Sequence, residues 1–279
     1  LDEAVGNLTA ALRARALYEN ALIVYSPDNG GYLGNGGDDF PLRGGKFSDF
    51  QGGVRVAAWA SGGRVPAALR GGAVAGYVSI CDWYATFLGL AGLDAAAIAA
   101  DTPGVPAVDS LDVWPLLSGA NATSPRVEVP LSVLPAADHA ALLAARASDR
   151  AGAMVAAATA AGRRFADSAG VGYFVGGEGL IVGDFKILTG YQHYGPFDDP
   201  TNRTCGTLVD GRAWNATHPG VPCDCGANGC LFNVRDDPNE ENDLAAAMPE
   251  KLAELHARLS ALREGVYAPD RGDEDPAAC

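Results

Sequence analysis

Apolar positions recur at i, i+3 and i+7 through Val5, Leu8 and Leu12, behind Asp2 and Glu3. This predicts an amphipathic helix whose first-turn acids suit the positive end of the helix dipole. The next signal is continuous rather than periodic. Ala21-Leu22-Ile23-Val24-Tyr25 is a short apolar run with β-branched and aromatic members, followed by Pro27-Asp28-Asn29-Gly30-Gly31. It reads as a buried parallel strand running into a loop. Helix, strand and polar loop are the alternation of a doubly wound α/β sheet, which binds ligands beyond the carboxyl ends of its strands, where Asp28 and Asn29 fall. Residues 30–53 are Gly-rich and loop-like. Further strands are expected over 54–60, 74–80 and 127–133. A helix with Trp83, Phe87 and Leu90 on one face is expected over 82–91, and a short helical segment over 109–117.

The pattern then changes. Residues 135–170 are dominated by Ala and read as an insertion or linker without chemistry. From Gly172, short apolar runs (173–175, 179–182, 184–188) separated by Gly or Gly-Asp predict an antiparallel meander. A loop over 190–229 follows, long enough to need disulfides or glycans to pin it. A strand is expected over 230–234, a turn at Asp236-Asp237-Pro238, and an amphipathic helix through Leu252, Leu255, Leu259 and Leu262 with Pro249 in its first turn. The expected division is 1–134, part of an α/β sheet domain; 135–170, the Ala-rich segment; and 171–279, a small antiparallel sheet with a packed helix.

Composition narrows the function classes. The chain has 279 residues, 48% of them hydrophobic, enough for a sizeable core. Its formal net charge of −14 argues against nucleic acid as a partner. It does not argue against an anionic substrate, because a few local cations override the global sign. No apolar run approaches the ~18 residues of a membrane span. The chain begins at Leu1, inside what reads as a helix, so the expectation is a C-terminal piece of a longer protein. Sequons at Asn7, Asn121, Asn202 and Asn215 accompany six cysteines, four of them between Cys205 and Cys230. Together they suit the secretory pathway, extracellular or lysosome-like. Cys223, Cys225 and Cys230 read as disulfide partners or as a zinc cluster, with spacing that suits disulfides better. Cys81 reads as a buried free thiol.

Three segments carry candidate chemistry. Asp28-Asn29-Gly30-Gly31 pairs a carboxylate with an amide oxygen, hard donors for Ca²⁺ or Mg²⁺, although the same tetrad also makes ordinary turns. Pro41-Leu42-Arg43-Gly44-Gly45-Lys46 sets two cations around a Gly pair. Lys46 there serves as a point charge for an anion and Arg43 as a planar fork, or both are solvated surface charges. Gln51-Gly52-Gly53-Val54-Arg55 adds a third cation.

Residues 23–31, 41–46 and 51–55 together resemble the sulfatase family, most of all its arylsulfatase B-like branch (N-acetylgalactosamine-4-sulfatase and relatives). Further segments resemble it in order: 79–87, 109–117, Gly183-Asp184-Phe185-Lys186-Ile187-Leu188, and Leu231-Phe232-Asn233-Val234-Arg235-Asp236-Asp237-Pro238-Asn239-Glu240. The resemblance implies part of an alkaline-phosphatase-like α/β sheet domain plus a small C-terminal sheet. It implies Asp28 and Asn29 as two ligands of an active-site Ca²⁺, Lys46 as the contact to the sulfate ester, and a sulfated carbohydrate or aryl sulfate as substrate. His193, with Tyr191 and Gln192, is a candidate for the pocket rim or an ordinary loop residue.

The family's nucleophile is a formylglycine made from Cys in C-x-P-x-R, and none of the six cysteines here stands in that motif. The resemblance therefore implies a partner portion, the N-terminal half of the same enzyme, without which this piece is expected to be inactive and to bind Ca²⁺ weakly. If the four clustered cysteines pair among themselves, Cys279 is expected to bond that half. Two other readings stay open: a truncated pseudoenzyme acting as a binding module, and a phosphate-ester hydrolase of the same superfamily. The latter would use paired metals with His ligands, and the four histidines (139, 193, 218, 256) form no such array.

Overall fold

The computed structural model describes the chain apart from residues 33–36, 105–106, 137–138, 141–164, 167–171, 174–175, 193–222 and 267–279. It divides into two units, one of Leu1–Gly31 and Val54–Val129, the other of Tyr32–Gly53 and Pro130–Cys279. No described helix is long and apolar enough to cross a membrane.

In the first unit, α1 (Asp2–Ala14) forms where the periodicity places it, with none of its residues buried. The run after it gives β1 (Ile23–Tyr25), which pairs antiparallel with β2 (Trp59–Ser61), Val24 opposite Ala60. The expected parallel, buried strand is corrected on both counts: β1 is half-buried throughout and its partner runs the other way. An apolar run reports burial and β-propensity but carries no information on strand direction. The strand expected over 54–60 starts only at Trp59: Val54 ends α2 (Gln51–Val54), and residues 55–58 are irregular. No strand forms over 74–80. There Gly76 adopts φ +131 against Ser124, whose hydroxyl donates to Tyr77 O instead of a ladder partner.

The helix α3 (Asp82–Leu90) matches its expected span, with Trp83 and Phe87 on one face, and its buried face is a different one. It buries Asp82, Ala85 and Thr86, while Trp83 and Phe87 stack at 5.6 Å and Phe87 stays exposed. The buried face is polar because Thr86 donates to Asp82 O at 2.7 Å and accepts from Val113 N–H at 3.0 Å. Next come α4 (Ala95–Ala100), capped by Asp94 accepting from Ala96 and Ala97, and the single turn α5 (Trp114–Leu117).

The second unit is built on a five-stranded sheet ordered β3 (Glu128–Ser132), β6 (Gly176–Val182), β7 (Phe185–Gln192) and β8 (Cys223–Asp224), with β9 (Cys230–Asn233) also on β7. The last residues of β3, from Pro130, belong to this unit. Two short strands, β4 (Phe165–Ala166) and β5 (Gly172–Tyr173), form a separate antiparallel pair. The hairpin β6–β7 closes at Gly183-Asp184, as the meander reading expects, with Leu180 opposite Ile187. One side of β7 carries both β9, from Phe185 to Leu188, and β8, from Tyr191 onward. Between these strands the chain buckles through Gly226 (φ +68) and Gly229 (φ +81), closed by the Cys225–Cys230 disulfide. The disulfide reading holds for these two residues. Cys205 and Cys279 lie outside the described residues, as does most of the Ala-rich segment.

The final helix α6 (Pro249–Arg263) has Pro249 in its first turn. Leu255 and Leu259 pack with Leu180, Ile187 and Leu231 into a fully buried cluster rimmed by Val182, Leu252 and Leu262. Successive strand residues point to opposite faces. So while Leu180, Ile187 and Leu231 face α6, their neighbours Gly179, Lys186 and Phe232 face the other way, against the chain at 43–53. Both faces of the sheet are covered.

Candidate functional site

The segment 43–53 of the second unit is a compact loop because glycines allow its backbone to pass close to itself. A Cβ on Gly52 would stand 2.5 Å from Gly44 O and 2.6 Å from Arg43 O, and Gly44 adopts φ +77. Gly52 N–H donates to Arg43 O at 2.7 Å, closing the loop. Ser48 braces it inside, its N–H and hydroxyl both donating to Gly45 O at 3.1 and 3.0 Å. At the tip, Phe47 adopts φ +78 and Lys46 is half-buried, its Nζ 5.4 Å from the Phe47 ring centre.

Of the two readings of Arg43, the solvated surface charge is ruled out: Arg43 is the most enclosed cation of the loop, with no exposed area. Its guanidinium lies 4.4 Å from the Phe50 ring centre and 6.0 Å from that of Phe232, and Nη1 donates to Glu240 O at 2.8 Å. Burial pulls its pKa down to about 10, against the pull of Glu240. Arg55 is exposed.

Beneath the loop lies a charged network. Lys186 of β7 and Glu240 are both fully buried and form an ion pair at 2.7 Å. Burial pushes Glu240 up and Lys186 down, and each pulls the other back. Glu240 Oε2 also accepts from Gln51 N–H at 2.5 Å. Asp49 closes the other side of the loop. Its Oδ1 accepts from Ser132 Oγ at 2.9 Å, and its N–H donates to Gln192 Oε1 at 3.0 Å. Its side chain fits only because residue 179 is glycine, where a Cβ would stand 3.0 Å from Asp49 Cβ. Burial raises the Asp49 pKa to about 6, moderated by Ser132 and Lys186. Gln192 is thereby corrected from a rim candidate to a buried strut.

In the first unit Asp28 and Asn29 directly follow β1, Asp28 exposed and Asn29 half-buried. Their oxygen chemistry suits a hard cation, but Ca²⁺ takes roughly six to eight oxygens. Among the described residues no three His, Cys, Asp or Glu side chains converge on a possible metal position. The pair can thus supply only part of a shell. His193 lies outside the described residues, as do Asn202 and Asn215; Asn7 and Asn121 are exposed.

A second buried pair was not singled out from sequence. Asp82 is fully buried and accepts from Arg126 Nε at 2.7 Å and from the N–H groups of Ser79 and Leu111 at 2.8 and 2.9 Å. The neighbouring Cys81 is a free thiol, half-buried rather than buried, and 3.6 Å from Arg126 Nη2.

Residues 1–93 match the family model described as Sulfatase. The chain is 28% identical to arylsulfatase J of Mus musculus over 279 residues, which is 99% of this chain and 40% of that protein. Against N-acetylgalactosamine-6-sulfatase of Canis lupus familiaris it is 33% identical over 131 residues, 44% of this chain and 23% of that protein. The PsFucS1 sulfatase from Pseudoalteromonas sp. shares the fold, with a TM-score of 0.58 at 21% identity over 96% of this chain and 42% of that one. The chain thus spans about two-fifths of the length of arylsulfatase J and of this structure.

Proposed function

We propose that this chain belongs to the sulfatase family and is part of a sulfuric ester hydrolase of the arylsulfatase type, in which Lys46 contacts the sulfate ester and Asp28 and Asn29 are two ligands of Ca²⁺. The observation that carries the reading is the loop 43–53. It presents a half-buried lysine from a backbone braced at both ends, in a chain whose net charge is −14. An ammonium held in place is suited to a sulfate monoester, since its charge needs no reorganisation as negative charge builds on the leaving oxygen. The substrate class follows from the names of the relatives, an arylsulfatase and an N-acetylgalactosamine-6-sulfatase: a sulfated sugar or an aryl sulfate. The arylsulfatase B-like branch is favoured by the order of the short segments between residues 23 and 240.

The sulfatase family generally uses Ca²⁺, which would supply Lewis-acid stabilisation of the sulfate oxygens. Asp28 and Asn29 contribute donors of the right kind and too few of them. The proposal therefore includes a remaining portion of the protein that brings the other ligands and the formylglycine nucleophile, and with it residence in the secretory pathway, extracellular or lysosome-like. The exposed sequons at Asn7 and Asn121 and the Cys225–Cys230 disulfide are consistent with that compartment. An intact mass and peptide map of the protein purified from its source tests this. A chain well above 28.6 kDa carrying a Cys-derived aldehyde peptide is the expected result. A mature chain of 28.6 kDa without such a peptide would instead favour a non-catalytic module.

A further inference from the structure

We infer that Glu240 is a positioning residue for Lys46, fixing both feet of the 43–53 loop to one point of the sheet; this rests on the reading of Lys46 above. Glu240 O accepts from Arg43 Nη1 at 2.8 Å, and Glu240 Oε2 accepts from Gln51 N–H at 2.5 Å. Arg43 lies on one side of Lys46 and Gln51 on the other, so one residue grips the loop before and after the lysine. Glu240 is itself held: Oε1 meets Lys186 Nζ at 2.7 Å, and its N–H donates to Asp237 O at 3.1 Å. Among the described residues of this unit, two non-glycine residues have φ in the left-handed region, Phe47 at +78 beside Lys46 and Glu240 at +58. Such conformations persist where the surroundings over-determine them, and they cluster where geometry is functional. The loop is also braced within itself, Ser48 to Gly45 O and Gly52 N–H to Arg43 O, so the grip of Glu240 carries to the tip.

The test separates the Glu240 acceptor from its charge. Lys186→Met/Glu240→Ala removes the Oε2 acceptor and the ion pair together and leaves the main-chain carbonyl that serves Arg43. Lys186→Met/Glu240→Gln removes the ion pair but keeps an acceptor for Gln51 N–H. Gln51→Pro removes the donor and leaves Glu240 and Lys186 in place, at the first position of a helical turn where proline is tolerated. Hydrogen exchange is read by mass spectrometry on the 279-residue chain. Peptides covering 44–53 are expected to exchange about tenfold faster or more in the Ala double variant and in Gln51→Pro, and within about threefold of wild type in the Gln double variant. Peptides covering 180–188 are expected to stay protected throughout. Unchanged protection of 44–53 in the Ala double variant and Gln51→Pro, or equal loss in both double variants, overturns the inference. If the Ala double variant also loses 180–188, it has unfolded, and Gln51→Pro decides alone.

The same changes in the full-length protein from the source are read as KM for an aryl sulfate. A rise in the Ala double variant and Gln51→Pro, largely rescued in the Gln double variant, is expected. A loosened loop with unmoved KM and kcat refutes the role given to Lys46 while the hold of Glu240 on the loop stands.

Discussion

Replacing Asp49 by Asn removes one titrating group and leaves its neighbours in place. Asp49 is buried between the loop and β3, β6 and β7, its Oδ1 accepting from Ser132 and its main-chain N–H serving Gln192. An asparagine keeps both, since its own Oδ1 accepts and the N–H is unchanged. The carboxyl pKa is about 6 in the fold against an ordinary 3.8. A folded-state value above the unfolded one means the native state holds the proton longer. Stability is therefore highest at acid pH, declines as pH rises from about 4 to about 6, and is level above that. Between pH 4.5 and 7.5 roughly 1.5 pH units of that window are crossed, and at 1.36 kcal/mol per unit Asp49 loses about 2 kcal/mol.

A side-chain amide has no such proton to give up, so Asp49→Asn is expected to gain about 2 kcal/mol relative to wild type at pH 7.5 over its effect at pH 4.5. On a domain of this size that is a difference of about 4–8 °C in Tm. Parallel thermal melts of the two proteins at both pH values measure it. Equal pH dependence of the two proteins, or a variant that fares worse at pH 7.5 than at 4.5, refutes the burial account of Asp49.

Other outcomes follow from the packing. Leu259→Ala opens the fully buried cluster beneath α6 and is expected to cost about 2–5 kcal/mol by urea denaturation, with the first unit's exchange unaffected. Arg126→Met strands the buried Asp82 carboxylate, an expected loss of about 3–5 kcal/mol; Arg126→Met/Asp82→Asn should recover most of it in the same denaturation assay. Gly52→Ala places a methyl 2.5 Å from Gly44 O, so faster exchange of the 44–53 amides is expected with the β6–β7 hairpin intact.

What the sequence disclosed was local. The leucines of α6, spaced three and four apart, and the Gly183 turn between β6 and β7 carry their own periodicity and turn chemistry, so those elements form where they read. The Gly pairs around Lys46 marked a tight loop for the same reason. Arg43 did not disclose its burial, because its enclosing partners are Phe232 and Glu240, the latter 197 residues away. The segments around Lys186 and Glu240 were recognisable by family resemblance, but nothing in either alone shows that they pair with each other and support residues 43–53. Gly179 opens a run that reads as a strand, and its reason, the Asp49 side chain that crosses it, is not visible in that run. The buried side of α3 was not legible, because it is the polar set Asp82 and Thr86, whose partners Arg126, Leu111 and Val113 come from later in the chain.

The most direct test of the central claim is kcat/KM for a chromogenic aryl sulfate, measured on the full-length protein and on its Lys46→Ala variant. The account predicts turnover by the wild-type protein and a loss of about 100-fold or more in the variant, the scale of removing one preorganised contact to developing charge. Wild-type protein that turns over neither this ester nor a sulfated sugar, or a variant within about twofold of wild type, contradicts the account.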